Sequence, residues 1–169
     1  MALPRKLKNL NLFNDGNSYL GQVNSVTLPT LTRSMEDYRG GGMSGPVKID
    51  HGQEALELSA TYGGLMREVL EQYGITSHDG VQLRFAGAYQ RDDTGAVDAV
   101  EVVIRGRHSE IEFGDAQAGE DTEFSVTTAC SYYKLSINGS TLIEIDLLNL
   151  VENVNGTDRL AQQRRAIGL

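Results

Sequence analysis

The sequence predicts a mainly β fold, a barrel or sandwich with one central α-helix, and three observations carry that prediction. Glycine is abundant, at 19 of 169 residues, and proline scarce, at 3, a balance that suits short strands joined by tight turns. Apolar and polar residues alternate through most stretches between the turns. One stretch alone repeats its apolar residues at helical spacing. The length sits within the roughly 100–200 residues of a single domain, so we read one unit over 1–169, with a basic N-terminal segment 1–9, a Gly-rich loop 39–46 and a C-terminal arm 157–169. Hydrophobic residues at 40% and charged residues at 22% are near globular averages and exclude coiled-coil, collagenous and fully disordered chains.

From Leu10 to Leu31 short apolar pieces are cut by Asp15-Gly16 and Gly21, which reads as strand, turn, strand. Arg39-Gly40-Gly41-Gly42-Met43-Ser44-Gly45-Pro46 cannot hold regular structure and is read as a mobile loop. Leu56, Leu58, Ala60 and Tyr62 then alternate with Glu57, Ser59 and Thr61, the mark of a strand with one wet face. Gly64 opens the predicted helix, where Leu65, Met66, Val69, Leu70 and Tyr73 recur at helical spacing, Arg67 can meet Glu71, and Gly74 supplies the stop. Val81–Gln90 and Val97–Arg105 are strands joined by the turn Arg91-Asp92-Asp93-Thr94-Gly95, and Glu110-Ile111-Glu112-Phe113 still alternates like a strand.

The hairpin around Asn138-Gly139 has two registers. A two-residue turn would mix Leu142 and Glu144 onto the face of Tyr133 and Leu135. A three-residue Asn138–Ser140 loop with a bulge at the turn gathers Tyr133, Leu135, Ile137, Ile143 and Ile145 on one face and Lys134, Glu144 and Asp146 on the other, so it is preferred. The arm from Thr157 holds one short helical stretch ending at Gly168. Strands along the whole chain leave sheet edges that need a partner, and self-association in a ring removes them.

Fifteen bases against 23 acids give a net charge of −8, which disfavours a general binder of nucleic acid or anionic membrane. Arg5, Lys6 and Lys8 lie at one end and Arg159, Arg164 and Arg165 at the other; without these and Asp158, nine bases face 22 acids. Either the ends are solvated tails, or each grips the acidic body of another copy. Glu110 to Glu123 holds six acids and no base. No apolar run long enough for a membrane span or a signal peptide is present.

Nothing in the pattern reads as an enzyme. His51, His78 and His108 lack metal-ligand spacing, so no metal or other cofactor is expected. Ser77-His78-Asp79 is consecutive and cannot align as a catalytic triad, so it is a turn before Gly80. Asp92-Asp93 lacks EF-hand spacing, and the Gly-rich loop lacks the GK[ST] of a phosphate loop. Nothing places Glu120, Asp121 or Glu123 in an apolar pocket that would raise a carboxyl pKa. The lone Cys130 lies in strand-like sequence and reads as a buried, inert thiol.

Across its whole length the chain resembles the major tail tube proteins of contractile-tailed bacteriophages of the temperate coliphage type, with the R-type pyocin tube as a relative. The matching stretches are Met1-Ala2-Leu3-Pro4-Arg5-Lys6-Leu7, Val26-Thr27-Leu28-Pro29, Glu36-Asp37-Tyr38-Arg39-Gly40-Gly41-Gly42-Met43, Arg84-Phe85-Ala86-Gly87, Tyr89-Gln90-Arg91-Asp92-Asp93-Thr94-Gly95, Ala118-Gly119-Glu120, Tyr132-Tyr133-Lys134-Leu135, Glu144-Ile145-Asp146, Val154-Asn155-Gly156 and Ile167-Gly168-Leu169. The departures concentrate in Ala55–Gly74. The resemblance implies a tail-tube fold whose strands complete a β-barrel between subunits, in hexameric rings stacked into a hollow tube inside a contractile sheath. It implies as partners other copies, the sheath, baseplate and tail terminator proteins, a tape measure protein in the lumen, and DNA in transit without specific binding, but no membrane. It places the protein in the virion tail, after assembly in the host cytoplasm. It also implies that ring contacts involve Arg5, Lys6, Arg33, Tyr38, Arg39, Gly41, Gly42, Met43, Asp158, Arg159 and Arg165. An acidic wall would let DNA slide, so Glu101, Glu110, Glu112, Glu123, Glu144 and Asp146 are expected to face the channel. A bacteriocin or type VI-like injection tube is the alternative within this fold; a monomeric β-barrel that binds a small molecule in a closed apolar interior is the rival outside it.

Overall fold

A computed structural model describes all 169 residues. In chain order the elements are β1 (Arg5–Asn14), β2 (Asn17–Ser18), β3 (Val23–Thr27), β4 (Arg33–Tyr38), β5 (Val47–Gln53), β6 (Leu56–Tyr62), α1 (Arg67–Glu71), β7 (Val81–Arg91), β8 (Val97–Glu112), β9 (Phe124–Ile137), β10 (Ser140–Asp146), β11 (Val151–Val154), β12 (Thr157–Asp158) and α2 (Ala161–Ala166). Ten strands form one antiparallel sheet in the order β12-β11-β10-β9-β8-β7-β1-β2, with β6 and then β3 branching from β9, while β4 and β5 form a separate hairpin. The chain closes no barrel of its own.

The branch explains the shape. One edge of β9 pairs β6 over Phe124–Cys130 and β10 over Tyr132–Ile137, while β8 follows the other edge along its length. The sheet therefore has two wings that part at Cys130, and β8 shifts register at the same level, between Arg105 and Gly106. Only glycine fits there. A Cβ on Gly106 would lie 2.0 Å from the carbonyl oxygen of Ala129. Alternating side chains from both wings, among them Leu58, Leu83, Phe85, Val102, Ile104 and Val126, join one core of 18 buried residues.

The helix is shorter than the periodicity predicts. Met66 is extended and offers no side-chain cap, so the helix starts at Arg67, and Gln72 ends it. Met66 and Val69 are buried, but Leu65 and Tyr73 point outward, so only part of the apolar stripe is used. The expected Arg67–Glu71 pair is present at 2.9 Å. What anchors the segment is polar: the Gln72 amide exchanges hydrogen bonds with the Asn14 amide at 2.7 and 2.8 Å, and His108 Nε2–H donates to Gln72 Oε1 at 3.1 Å. The Thr128 hydroxyl donates to His108 Nδ1 at 2.9 Å. Burial pushes His108 down to about 4, so the ring is neutral at pH 7.

Two further expectations change. The N-terminal segment is no tail: β1 starts at Arg5 and pairs β7, and a bulge between Leu7 and Asn9 disguises its alternation in the sequence. The β9–β10 connection is a two-residue turn, Asn138-Gly139, both at positive φ, with Ser140 opposite Ile137. The phase reset lies further on, between Thr141 and Ile143, so the predicted faces survive by another route: Ile143 and Ile145 oppose Leu135 and Tyr133. Cys130 is buried as expected, and burial raises its thiol to about 12.

Candidate functional site

Side chains alternate across a pleated sheet, and directly paired residues share a face. Opposite the core, β7 presents Arg84, Ala86 and Ala88, β8 presents Ala99, Glu101, Val103 and Arg105, β9 presents Tyr132, Lys134 and Ser136, and β10 presents Glu144 and Asp146. Small side chains at its centre leave a shallow trough of about 570 Å³. The charges on this face are paired or braced. Arg84 reaches Glu101 at 3.2 Å and stacks 4.0 Å over the Phe13 ring. Arg105 lies 3.9 Å over Tyr132, whose hydroxyl donates to Glu144 at 2.7 Å. Burial and that bond push the Tyr132 phenol up to about 12. Lys134 lies directly across from Glu144. Asp146 is turned into the following turn, where it accepts from the Leu148 and Asn149 backbone.

The predicted channel acids therefore divide. Glu101, Glu144 and Asp146 share this face with four bases, Lys6, Arg84, Arg105 and Lys134. Glu110 and Glu112 lie at the far end of β8, opposite Thr127 and Ser125, and Glu123 precedes β9. None of these three forms a salt bridge, and all three are exposed.

At the N-terminus, Arg5 pairs with Asp98, Lys8 with Asp92 at 2.9 Å, and the Leu3 N–H donates to Asp93 at 3.1 Å. Arg91, also on Asp93 at 2.6 Å, with the Leu3 N–H, draws that carboxyl down to about 2. Two of the N-terminal bases are thus engaged within the subunit, which leaves Lys6 exposed. In the C-terminal arm Arg164 holds Asp158 at 2.6 Å, while Arg159 and Arg165 remain exposed without a carboxylate.

The Gly-rich loop is the irregular tip of the β4–β5 hairpin. There the Gly40 N–H meets the Met43 sulfur at 3.1 Å, Arg39 donates to the Met43 carbonyl at 3.2 Å, Gly42 takes φ 84°, and a Cβ on Gly41 would meet nothing within 4 Å. One hairpin face carries Tyr38, Val47 and Ile49, all exposed, beside Glu36, which meets His51 at 3.1 Å, and the other carries Met35 with the pairs Asp37–Lys48 and Arg33–Asp50. The sequence reading named Tyr38 but missed Val47 and Ile49, although their alternation with Lys48 and Asp50 was a usable signal. An isolated hairpin with exposed apolar side chains is marginal in water.

Comparison with known proteins agrees with this architecture. The phage tail tube protein FII family matches residues 4–168. The chain is 52% identical over 172 residues to the tail tube protein of Escherichia phage P2, covering 100% of both. It is 42% identical over 158 residues to the major tail tube protein of Serratia phage KSP20, covering 92% of this chain and 91% of that one. In fold it resembles the PVC sheath/tube terminator of an extracellular contractile injection system, with a TM-score of 0.60, 10% identity and coverage of 79% and 96%. It likewise resembles the tube-terminating cap of the anti-feeding prophage, with a TM-score of 0.59, 11% identity and coverage of 80% and 94%. A matched family model over nearly the entire length, two full-length relatives and an open sheet with one wet face agree: the chain belongs to the phage tail tube protein FII family.

Proposed function

We propose that the chain builds the inner tube of a contractile phage tail, as hexameric rings stacked around a channel that carries a tape measure protein during assembly and the genome on delivery. The sheath surrounds this tube, with baseplate and tail terminator at its ends. The observation that carries the reading is a ten-stranded sheet left open at both ends, with its buried core on one face and a charged, partly exposed face opposite. At one end β2 pairs β1 only at Phe13 and Asn14, and the Tyr19 N–H donates to the Leu12 carbonyl, so the outer edge of β1 from Arg5 to Leu10 is bare. At the other end β11 covers only Ile143–Asp146 of β10, and β12 covers only Asn153 and Val154 of β11. An unpaired edge is a template for another strand, and joining two unlike edges head to tail generates a ring. The face of Arg84, Glu101, Lys134 and Glu144 then lines the channel.

Four bases (Lys6, Arg84, Arg105, Lys134) against four acids (Glu101, Glu144, Asp146, Asp158) on that face give DNA no positive excess to hold it, whereas a basic wall would retain DNA by counterion release. The exposed apolar side chains Tyr38, Val47 and Ile49 of the hairpin and the exposed Lys6, Arg159 and Arg165 supply contacts between copies. Exposed ion pairs are each worth about 0–1 kcal/mol, so such contacts act through repetition around the ring. Negative-stain electron microscopy of the purified protein tests this reading. Rings or hollow rods, alone or seeded on baseplates, support it; solitary particles at high concentration with seeds present overturn it.

A further inference from the structure

We propose that Arg33 is the positioning residue that fixes the β4–β5 hairpin against the C-terminal arm, so that both segments meet a neighbouring copy as one preset surface. The consequence for assembly rests on the tube reading above; the geometry does not. The hairpin pairs with no strand of the main sheet. Its neck is closed locally, by the Glu54 N–H and the Gln53 side chain, which both donate to the Thr32 carbonyl at 2.8 and 3.0 Å. Beyond the neck a single ion pair ties the hairpin to the body. Arg33 Nη1 donates to Glu152 Oε1 at 2.6 Å, while Arg33 Nε bonds Asp50 at 2.9 Å.

The far side of this tie is well anchored. Glu152 is buried in β11, its backbone N–H meets Asp158 at 3.4 Å, and its carbonyl accepts from the Arg159 N–H at 2.8 Å. Asp158 in turn holds Arg164 of α2. A continuous polar strut therefore runs from β5 through Arg33 to the arm. Beside it a cavity of about 520 Å³, bordered by His51, Gln53, Leu147, Leu160 and Gln163, opens between hairpin and arm. The hairpin's one salt bridge to the body runs through Arg33 across this gap, and that gives Arg33 the positioning role. A planar guanidinium can engage two carboxylates in one fixed geometry, and a lysine ammonium cannot, so the position demands arginine.

The test is a distance distribution by pulsed electron spin resonance on the full-length subunit, labelled at Lys48→Cys and Gln162→Cys and diluted with unlabelled protein. One narrow distance is expected, broadened at least about twofold by Arg33→Ala, which leaves Glu152 unpaired, and still broad in Arg33→Lys. The exchange Arg33→Glu with Glu152→Arg, combined with Asp50→Asn to remove the like charge that Arg33 neutralises in the parent, is expected to narrow the distance again relative to Arg33→Ala, which a merely space-filling role would not do. Should Arg33→Ala fail to fold, Arg33→Leu with Glu152→Leu removes both charges and keeps the readout. A distribution as narrow in that double variant, or in Arg33→Ala, as in the parent overturns the proposal. Rod formation by the parent is scored separately: rods with unchanged distances refute the positioning role alone, and absent rods refute the tube reading while the distances still judge Arg33.

Discussion

Substituting Gly106 by alanine puts a methyl group where the two wings of the sheet part. The added carbon would sit 2.0 Å from the Ala129 oxygen and 2.8 Å from its carbonyl carbon. Both atoms are backbone, so no side chain can swing away. Reaching a tolerable contact requires β8 and β9 to separate by about 1 Å, which stretches a ladder bond of about 2.9 Å beyond hydrogen-bonding range. Two such bonds at about 1 kcal/mol each, with the strain of overpacking, give a loss of about 3 kcal/mol. For a chain of this size that lowers the melting temperature by about 6–12 °C. Gly74→Ala is the control, since its Cβ meets nothing within 4 Å. Calorimetry of both variants decides: Gly106→Ala melting within about 1 °C of the control would refute the close-approach argument.

Three further outcomes follow from the same geometry. Because burial holds His108 at about 4 against an ordinary 6.5, the unfolded chain binds the extra proton between those values. Stability from this group is thus full above pH 6.5 and falls by about 3 kcal/mol as pH drops to 4; urea midpoints against pH should show a correspondingly shallower acid slope in His108→Gln. Glu101→Lys with Glu144→Lys makes the proposed channel face basic, so assembled tubes should retain DNA with affinity that falls steeply in salt; no gain in retention would exclude this face from the lumen. Tyr38→Ser with Ile49→Ser removes exposed apolar surface, so subunit stability should hold within about 0.5 kcal/mol while rod formation, followed by light scattering, drops sharply.

Much of the sheet was legible because its strands keep strict alternation. Leu56–Tyr62 and the run from Val81 to Ile104 needed nothing beyond a period of two. Reading failed where a local irregularity broke the period: the bulge at Lys8 hid β1 inside an apparent basic tail, and the bulge at Leu142 placed the phase reset beyond the turn. Helical spacing over Leu65–Tyr73 overstated α1 because Gln72, Asn14 and His108 hold that segment by polar contacts that leave no hydrophobic signature. The charged ends were legible as clusters, but their partners were not. Asp92, Asp93 and Asp98 reach Lys8, Leu3 and Arg5 only after β1 and β7 pair, a long-range event that composition cannot encode. The same holds for Arg33, conspicuous in the sequence only by resemblance and joined to Glu152 across 119 positions by folding.

That identical copies complete one another's open sheet is tested most directly by cysteine cross-linking between its two unlike edges. One cysteine is scanned along the outer edge of β1, from Arg5 to Leu10, and a second along Ser140–Thr141 and the outer edges of β11 and β12. Under oxidation the account predicts, at one register, a covalent ladder that stops at the hexamer. Rods that yield only monomer bands at every register, or links that join like edge to like edge, would contradict it.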